Sequence, residues 1–477
     1  MTADSARPLW AWSATALAAA IRGGEVTSRE VVDACLRRVA EVNPAVNAAT
    51  VVFEDRARRA ADEADTALRD GAAAGPGPLH GVPFSVKENI DLTWSATTNG
   101  LPLLKDAVPE ADSTDVARLR AAGAIPLIRT NMPDLGMRWH TDNALFGATV
   151  NPWDPRRTPG GSSGGEAAAI ATGMTPFGVG NDYGGSVRQP ACANGVCGLK
   201  PTPGRIPVWK PGPGVFPFTA QAFAVEGPLA RSVDDLALAY SVMSGPDGID
   251  TLTVPALDDP YPDAPRRVAA VTDPDGGETA PAVTAAVRRA ADALRQAGWE
   301  VTEAEPPFIA EAAQLWRELI ISDQQEFLYG AQAGLAEHCS ADIRRQTGDF
   351  TAHTRRLTLA GYGAAVGRRV EIRAAWSAFQ RQFPLILAPV LTQPPFTVGR
   401  DLDGPDAMDE IFQAYRMLVA VSCLGNPAVA LPVGTVTDGM PDGVQVIGPW
   451  FGERLALAAA RDIERACGAV TPIDPRR

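Results

Sequence analysis

The sequence predicts an α/β protein with a central mixed β-sheet flanked by helices on both sides. Stretches with helical apolar spacing alternate with short apolar or alternating runs along most of the chain, the pattern of an α/β fold with a mainly parallel or mixed sheet. Of the 477 residues, 45% are hydrophobic and 21% charged, ordinary globular usage that supplies a large core and excludes wholesale disorder. No internal repeat or extended low-complexity linker breaks the pattern. One large domain over residues 1–477 is expected, with a helical insertion at about 307–375.

The elements follow in order. Thr27-Ser28-Arg29-Glu30 has capping-box spacing, and Val31, Val32, Cys35, Leu36 and Val39 continue it as one apolar helix face. Ala49–Phe53 reads as a strand and Asp55–Asp70 as a helix rich in Ala, Arg and Glu. The alternation of Val82, Phe84 and Val86 predicts a strand that delivers Lys87 to its end. Ser113–Ala122 is a capped helix and Ala124–Arg129 a short strand. Between Thr158 and Arg205 glycine is dense and hydroxyl residues sit among the glycines, which marks loops whose backbone approaches something closely. Within it Ala167–Ala171 reads as a helix and Pro176–Val179 as a strand. Ile206–Pro217, rich in Pro and Gly, is an irregular loop. Ser232–Ser244 is a helix, Arg267–Thr272 a strand, and Thr279–Ala297 an amphipathic helix stopped by Gly298. Pro306–Gly367 looks less regular. Pro384–Val390 is an apolar strand, Met408–Val421 a helix, Ala428–Pro432 and Gly443–Ile447 strands, and Glu453–Ala466 the last helix.

Charge and rare residues narrow the function. A formal net charge of −13 disfavours nucleic acid or an anionic membrane as the main partner. No apolar run approaches about 18 residues, so no membrane span is expected, and the start of the chain lacks signal-peptide character. The six cysteines are scattered without C-x-x-C spacing, which reads as reduced thiols in the cytoplasm. The four histidines form no ligand-spaced cluster, so neither a metal nor an organic cofactor is expected.

Two Gly-rich loops carry the residues suited to chemistry. Gly160-Gly161-Ser162-Ser163-Gly164-Gly165-Glu166 feeds a helix N-terminus, whose free N–H groups favour developing negative charge; alone, it is equally an ordinary helix cap. It also satisfies G-x-S-x-G with Ser163 as nucleophile. That elbow needs a preceding strand and a late histidine, and neither the proline-rich 151–159 nor anything after His353 supplies them. A phosphate loop fails as well, because Glu166 stands where Lys is required. In Asn181-Asp182-Tyr183-Gly184-Gly185-Ser186-Val187-Arg188-Gln189-Pro190, two glycines before Ser186 let successive backbone N–H groups converge as an oxyanion hole does; alone, this is an exposed turn. Lys87 changes the balance. A buried lysine loses its charge, becomes a general base, and activates one serine through another without a histidine.

These strings resemble those of the amidase signature enzymes: Gly81–Asn89 around Lys87, Gly160–Glu166 around Ser162 and Asp182–Pro190 around Ser186, continued by Gly195–Thr202 and Gly227–Val233. Order and spacing hold over roughly residues 80–235, and Gly425–Pro432 and Val444–Gly448 fit best in the weaker C-terminal part. The resemblance implies an amidase-signature fold and cleavage of the C–N bond of carboxylic amides through an acyl-enzyme. By the same resemblance Ser186 is the nucleophile, Ser162 the bridging serine on a cis peptide, Lys87 the terminal base, and the backbone N–H groups of Tyr183, Gly184, Gly185 and Ser186 the oxyanion hole. Asp182 and Arg188 look like scaffold. Tyr183 departs from the small or aliphatic residue common in the family, and its ring is expected to narrow the pocket.

For the substrate, Met137 and Trp139 are candidate lining of an apolar pocket, although core packing is the commoner fate of such residues. Trp209, Phe216 and Phe218 are candidates to cover its entrance. An apolar or aryl amide is therefore favoured, and aryl carbamates (urethanes) and esters present the same acyl carbonyl. The rival within the family is the A-type subunit of a glutamyl-tRNA amidotransferase, which releases ammonia from glutamine for a partner chain. A catalytically inert binding protein on the same scaffold is disfavoured, because all three relay residues are present. The expected partner is a small amide, and self-association as a homodimer is left open.

Overall fold

In the computed structural model, which describes residues 7–71, 77–208, 217–255, 260–326, 335 and 337–476, the described strands join into one sheet of eleven. They are β1 (Ala49–Val52), β2 (Pro83–Lys87), β3 (Ile125–Thr130), β4 (Phe177–Asp182), β5 (Cys197–Lys200), β6 (Val225–Ala230), β7 (Arg267–Ala270), β8 (Glu300–Glu303), β9 (Leu385–Pro389), β10 (Ala428–Thr437) and β11 (Met440–Ile447). The spatial order is β1-β3-β2-β4-β6-β5-β10-β11-β9-β7-β8. β2 runs parallel to both β3 and β4, and β7 parallel to β8 and β9. The remaining neighbours are antiparallel. The sheet is mixed, as the sequence predicts.

Side chains alternate between two cores because successive residues of a strand face opposite sides. On β9, Leu385 and Leu387 join one hydrophobic cluster while Ile386 and Ala388 join another. On β10, Val429 and Leu431 divide from Ala428 and Ala430 in the same way. The first cluster is closed by the helices Ala14–Arg22, Val233–Met243, Pro281–Gln296 and Glu453–Cys467; the second by Ile309–Glu326, Leu359–Gln382 and Arg416–Leu424. Burial on both faces explains why β9 reads as a continuous apolar run.

The capping box at Thr27 is formed, with Thr27 and Glu30 satisfying each other's backbone, at the head of helix Ser28–Val46. Strands β5, β6 and β8 are not among the elements that the sequence reading names, and two further stretches differ from it. Pro306–Gly367, which reads as less regular although it lies in the expected helical insertion at about 307–375, contains helices Ile309–Glu326 and Ala341–Ala352 and the start of Leu359–Gln382. Leu319, Ile320 and Ile321 are buried in succession, so this first helix has no clean polar face for the eye to follow. The expected helix Met408–Val421 is two helices, Pro405–Ala414 and Arg416–Leu424, broken at Tyr415. The buried Tyr415 ring lies 4.7 Å from the Trp139 ring. A change of direction that keeps apolar spacing leaves no mark in the sequence.

Candidate active site

Three loops meet beyond the C-terminal ends of the parallel strands β3, β2 and β4. β2 is buried throughout, so it carries Lys87 into the interior opposite Thr130 of β3. β4 ends at Asp182 and opens into the 183–187 loop. The 160–163 loop, with a cis peptide between Gly161 and Ser162, opens into helix Gly164–Ala171. The Ser163 N–H donates to the Ser186 carbonyl at 3.2 Å and ties the two Gly-rich loops together.

Lys87 is fully buried. Its Nζ lies 2.7 Å from Ser162 Oγ, 2.9 Å from Ser163 Oγ and 2.6 Å from Asn181 Oδ1. Asn181 is oriented by donating to Asn89 Oδ1 at 3.0 Å. Burial pushes the ammonium down to about 7, against the opposing pull of Glu226, Glu166 and Asp182. The three partners suit either protonation state. An amide oxygen only accepts, so Asn181 takes one N–H; a neutral amine then has one N–H and one lone pair left for two hydroxyls. An amine with a hydroxyl donating to its lone pair is arranged to take up that proton.

Glu166, also fully buried, accepts from Ser85 and, at 2.6 Å, from Thr130 Oγ1. Burial pushes its carboxyl up to about 7. It belongs to the shell behind Lys87.

The 183–187 loop is held from both sides. Asp182 and Arg188 are both buried and pair at 3.0 Å. Asp182 also accepts from the Gly185 N–H at 2.8 Å and the Val187 N–H at 3.3 Å, while Arg188 reaches Ser422 Oγ at 2.8 Å and Gln445 Oε1 at 3.1 Å. The pair braces the loop, in keeping with the scaffold reading. From the other side, Trp316 Nε1 donates to the Tyr183 carbonyl and Trp139 Nε1 to the Gly184 carbonyl, both at 3.0 Å. In a trans peptide the N–H points opposite the C=O, so these two bonds set the direction of the Gly184 and Gly185 N–H groups. Among the described residues nothing accepts from the N–H of Tyr183, Gly184 or Ser186; that of Gly185 is engaged by Asp182. Glycine is required here: a Cβ on Gly184 would strike the Trp316 ring, and Gly185, at φ 101°, has Leu418 against it.

The cleft above Ser186 is walled by Met137, Trp139, Tyr183, Trp316, Ile320 and Phe350. Trp139 is 9% exposed and stacks on Trp316 at 6.1 Å, so it packs in the core and lines the cleft at once. Tyr183 lies in the wall, with its hydroxyl bonded to Thr219; burial holds its phenol above the usual range. Phe218 packs edge-on against Tyr362 at 6.3 Å. Trp209 and Phe216 lie outside the described residues. Of the sequence-predicted residues, Ser186, Tyr183, Gly184, Met137 and Trp139 line the cleft, while Lys87 bonds to Ser162 of the adjoining loop, which is tied to Ser186 through Ser163. Sequence reading names Asn181, at the head of the second Gly-rich string, and Glu166, at the end of the first, without giving either a role, and it gives Trp316 none. Glu166 follows the Gly/Ser loop directly and was open to suspicion, whereas nothing local marks Trp316.

Among the described residues, no three or more His, Cys, Asp or Glu side chains gather to hold a metal ion, and no helix is long and apolar enough to cross a membrane.

A family model described as Amidase matches residues 30–457. The chain is 39% identical over 466 residues to an indoleacetamide hydrolase of Bradyrhizobium diazoefficiens, covering 97% of this chain and 88% of that protein. It is 35% identical over 477 residues to the A-type subunit of the glutamyl-tRNA(Gln) amidotransferase from Thermus thermophilus, covering 94% and 96%. The solved structure of a 6-aminohexanoate cyclic dimer hydrolase complexed with substrate superposes with a TM-score of 0.83 at 30% identity, over 98% of this chain and 99% of that one.

Proposed function

The chain belongs to the amidase family and is an amide hydrolase, and from that premise we propose that it cleaves apolar or aryl amides by attack of Ser186 on the carbonyl carbon. Ser186 loses its proton to Ser162, which passes its own to neutral Lys87. The tetrahedral oxyanion is held by the N–H groups of the 183–186 loop, those of Tyr183, Gly184 and Ser186 having no other acceptor among the described residues and that of Gly185 being shared with Asp182. The proton returns through the same chain to the departing nitrogen, because an amide anion is a poor leaving group. Water then releases the acid by the reverse path.

The observation that carries this reading is the fully buried Lys87 with hydroxyls of both Ser162 and Ser163 within hydrogen-bond reach. The walls of Trp139, Trp316, Phe350 and Ile320 support an apolar or aryl group next to the scissile bond. Aryl carbamates and esters offer the same carbonyl and fall within the proposed scope. The six cysteines are all free, which supports a cytoplasmic setting.

The test is a panel of acyl anilides, short and long acyl amides, an aryl carbamate and glutamine, given to the chain alone and followed by mass spectrometry. Cleavage of anilides with glutamine untouched, lost by about 10⁶-fold in Ser186→Ala, is the expected result. Cleavage of glutamine only, or turnover only with a partner chain, overturns it in favour of the amidotransferase reading.

A further inference from the structure

A second cavity, sharing no residue with the cleft above Ser186, opens between helix Leu359–Gln382 and the 449–450 turn. Arg373, Ser377 and Gln380 project into it from one face of that helix, with Trp450 and Asn426 opposite. The Arg373 guanidinium lies 3.7 Å from the Trp450 ring centroid, and Trp450 is fixed by donating from Nε1 to the Leu424 carbonyl at 3.0 Å.

Two donors of the residues that wall the cavity are buried without a hydrogen-bond partner among the described residues: Arg373 Nε and Gln380 Nε2. Gln380 is only 6% exposed, and its Oε1 is taken by Asn426 at 3.0 Å, so its amide nitrogen points elsewhere. Unpaired buried donors are costly and rare. No acidic side chain lines the cavity among the described residues. Arg369, one turn away, adds positive charge while its own N–H groups go to the carbonyls of Cys423 and Ala222. Burial and the neighbouring Arg369 press the Arg373 guanidinium down to about 10, as expected of a cation lacking its counter-charge. In a chain of net charge −13 such a group of arginines without carboxylates is conspicuous. The rest of the wall is apolar, with Val370, Ala374 and Pro449.

We propose that this cavity binds a small organic carboxylate, its oxygens accepting from the Arg373 guanidinium and its apolar body lying along Trp450. A planar guanidinium on an aromatic face is arranged for such a group.

Calorimetric titration with hexanoate, hexylamine and inorganic phosphate tests it. The wild-type chain is expected to bind hexanoate and not hexylamine. Arg373→Met is expected to weaken hexanoate by about tenfold or more, Gln380→Leu less, and Ser377→Trp, a substitution of an exposed residue that fills the cavity, to abolish it. Trp139→Ala, in the other cleft, leaves that binding in place. Amide hydrolysis by Arg373→Met and Ser377→Trp stays at the wild-type rate. Hexanoate binding that survives Ser377→Trp and is lost in Trp139→Ala overturns the proposal, as does the absence of binding. Phosphate binding as tight as hexanoate overturns the assignment to a carboxylate with an apolar body. If Arg373→Met fails to fold, Ser377→Trp still decides.

Discussion

Lys87 and Lys200 are both fully buried, and burial pushes both down to about 7. Each ends a strand of the same sheet, Lys87 on β2 and Lys200 on β5. Their surroundings differ. Lys200 Nζ donates to the carbonyls of Pro201 and Asn426, both at 3.1 Å. Lys87 faces two hydroxyls and one amide oxygen. A carbonyl accepts a hydrogen bond but has no proton to give, so the Lys200 amine has nothing to deprotonate. A hydroxyl does both. A depressed lysine therefore does not identify a catalytic base by itself; the chemistry of its partners does.

The largest effects separate the two lysines directly. Lys87→Met is expected to lower kcat for an anilide by about 10⁴-fold per folded molecule. Lys200→Met is expected to keep kcat per folded molecule within about threefold while costing about 2 kcal/mol of stability, because the Pro201 and Asn426 carbonyls lose their donor. Paired stopped-assay kinetics and denaturant unfolding read both. Equal activity losses in the two variants would remove the distinction.

The next effect is in the pH profile. As the proposed base Lys87 acts as a neutral amine, so kcat/KM is expected to rise with pH and level off above a midpoint near the value to which burial presses Lys87, about 7. Below it the rate falls about tenfold per pH unit. Lys200→Met leaves this midpoint where it is. A profile flat from about pH 5.5 to 8.5 is incompatible with a lysine base of that kind.

The smallest effect tests the loop that carries Ser186. Trp316→Phe removes the N–H from the Tyr183 carbonyl but keeps most of the ring. A looser loop at the proposed oxyanion site is expected to cost about tenfold in kcat with KM nearly unchanged. A rise in KM alone would show that Trp316 serves only as pocket wall.

Much of this was legible along the chain. Alternation at Val82, Phe84 and Val86 places Lys87 at a strand end, and glycine density around Ser162 and Ser186 marks loops of close approach. Thr27 and Glu30 announce a helix start that the structure forms. These are short-range signals, set by turn chemistry, capping and the period of apolar residues. They determine the fold class and the loops that carry the reactive side chains.

The tertiary structure decided the rest. Only folding brings Asn181 to Lys87, 94 residues away, and Trp316 to the Tyr183 carbonyl, 133 residues away. Only folding breaks the helix at Tyr415 so that its ring meets Trp139, and only folding gives Lys87 and Lys200 different neighbours. The physical reason is that proton affinity and hydrogen-bond direction depend on desolvation and on the groups across the gap. Both are properties of pairs distant in sequence, which no local pattern encodes.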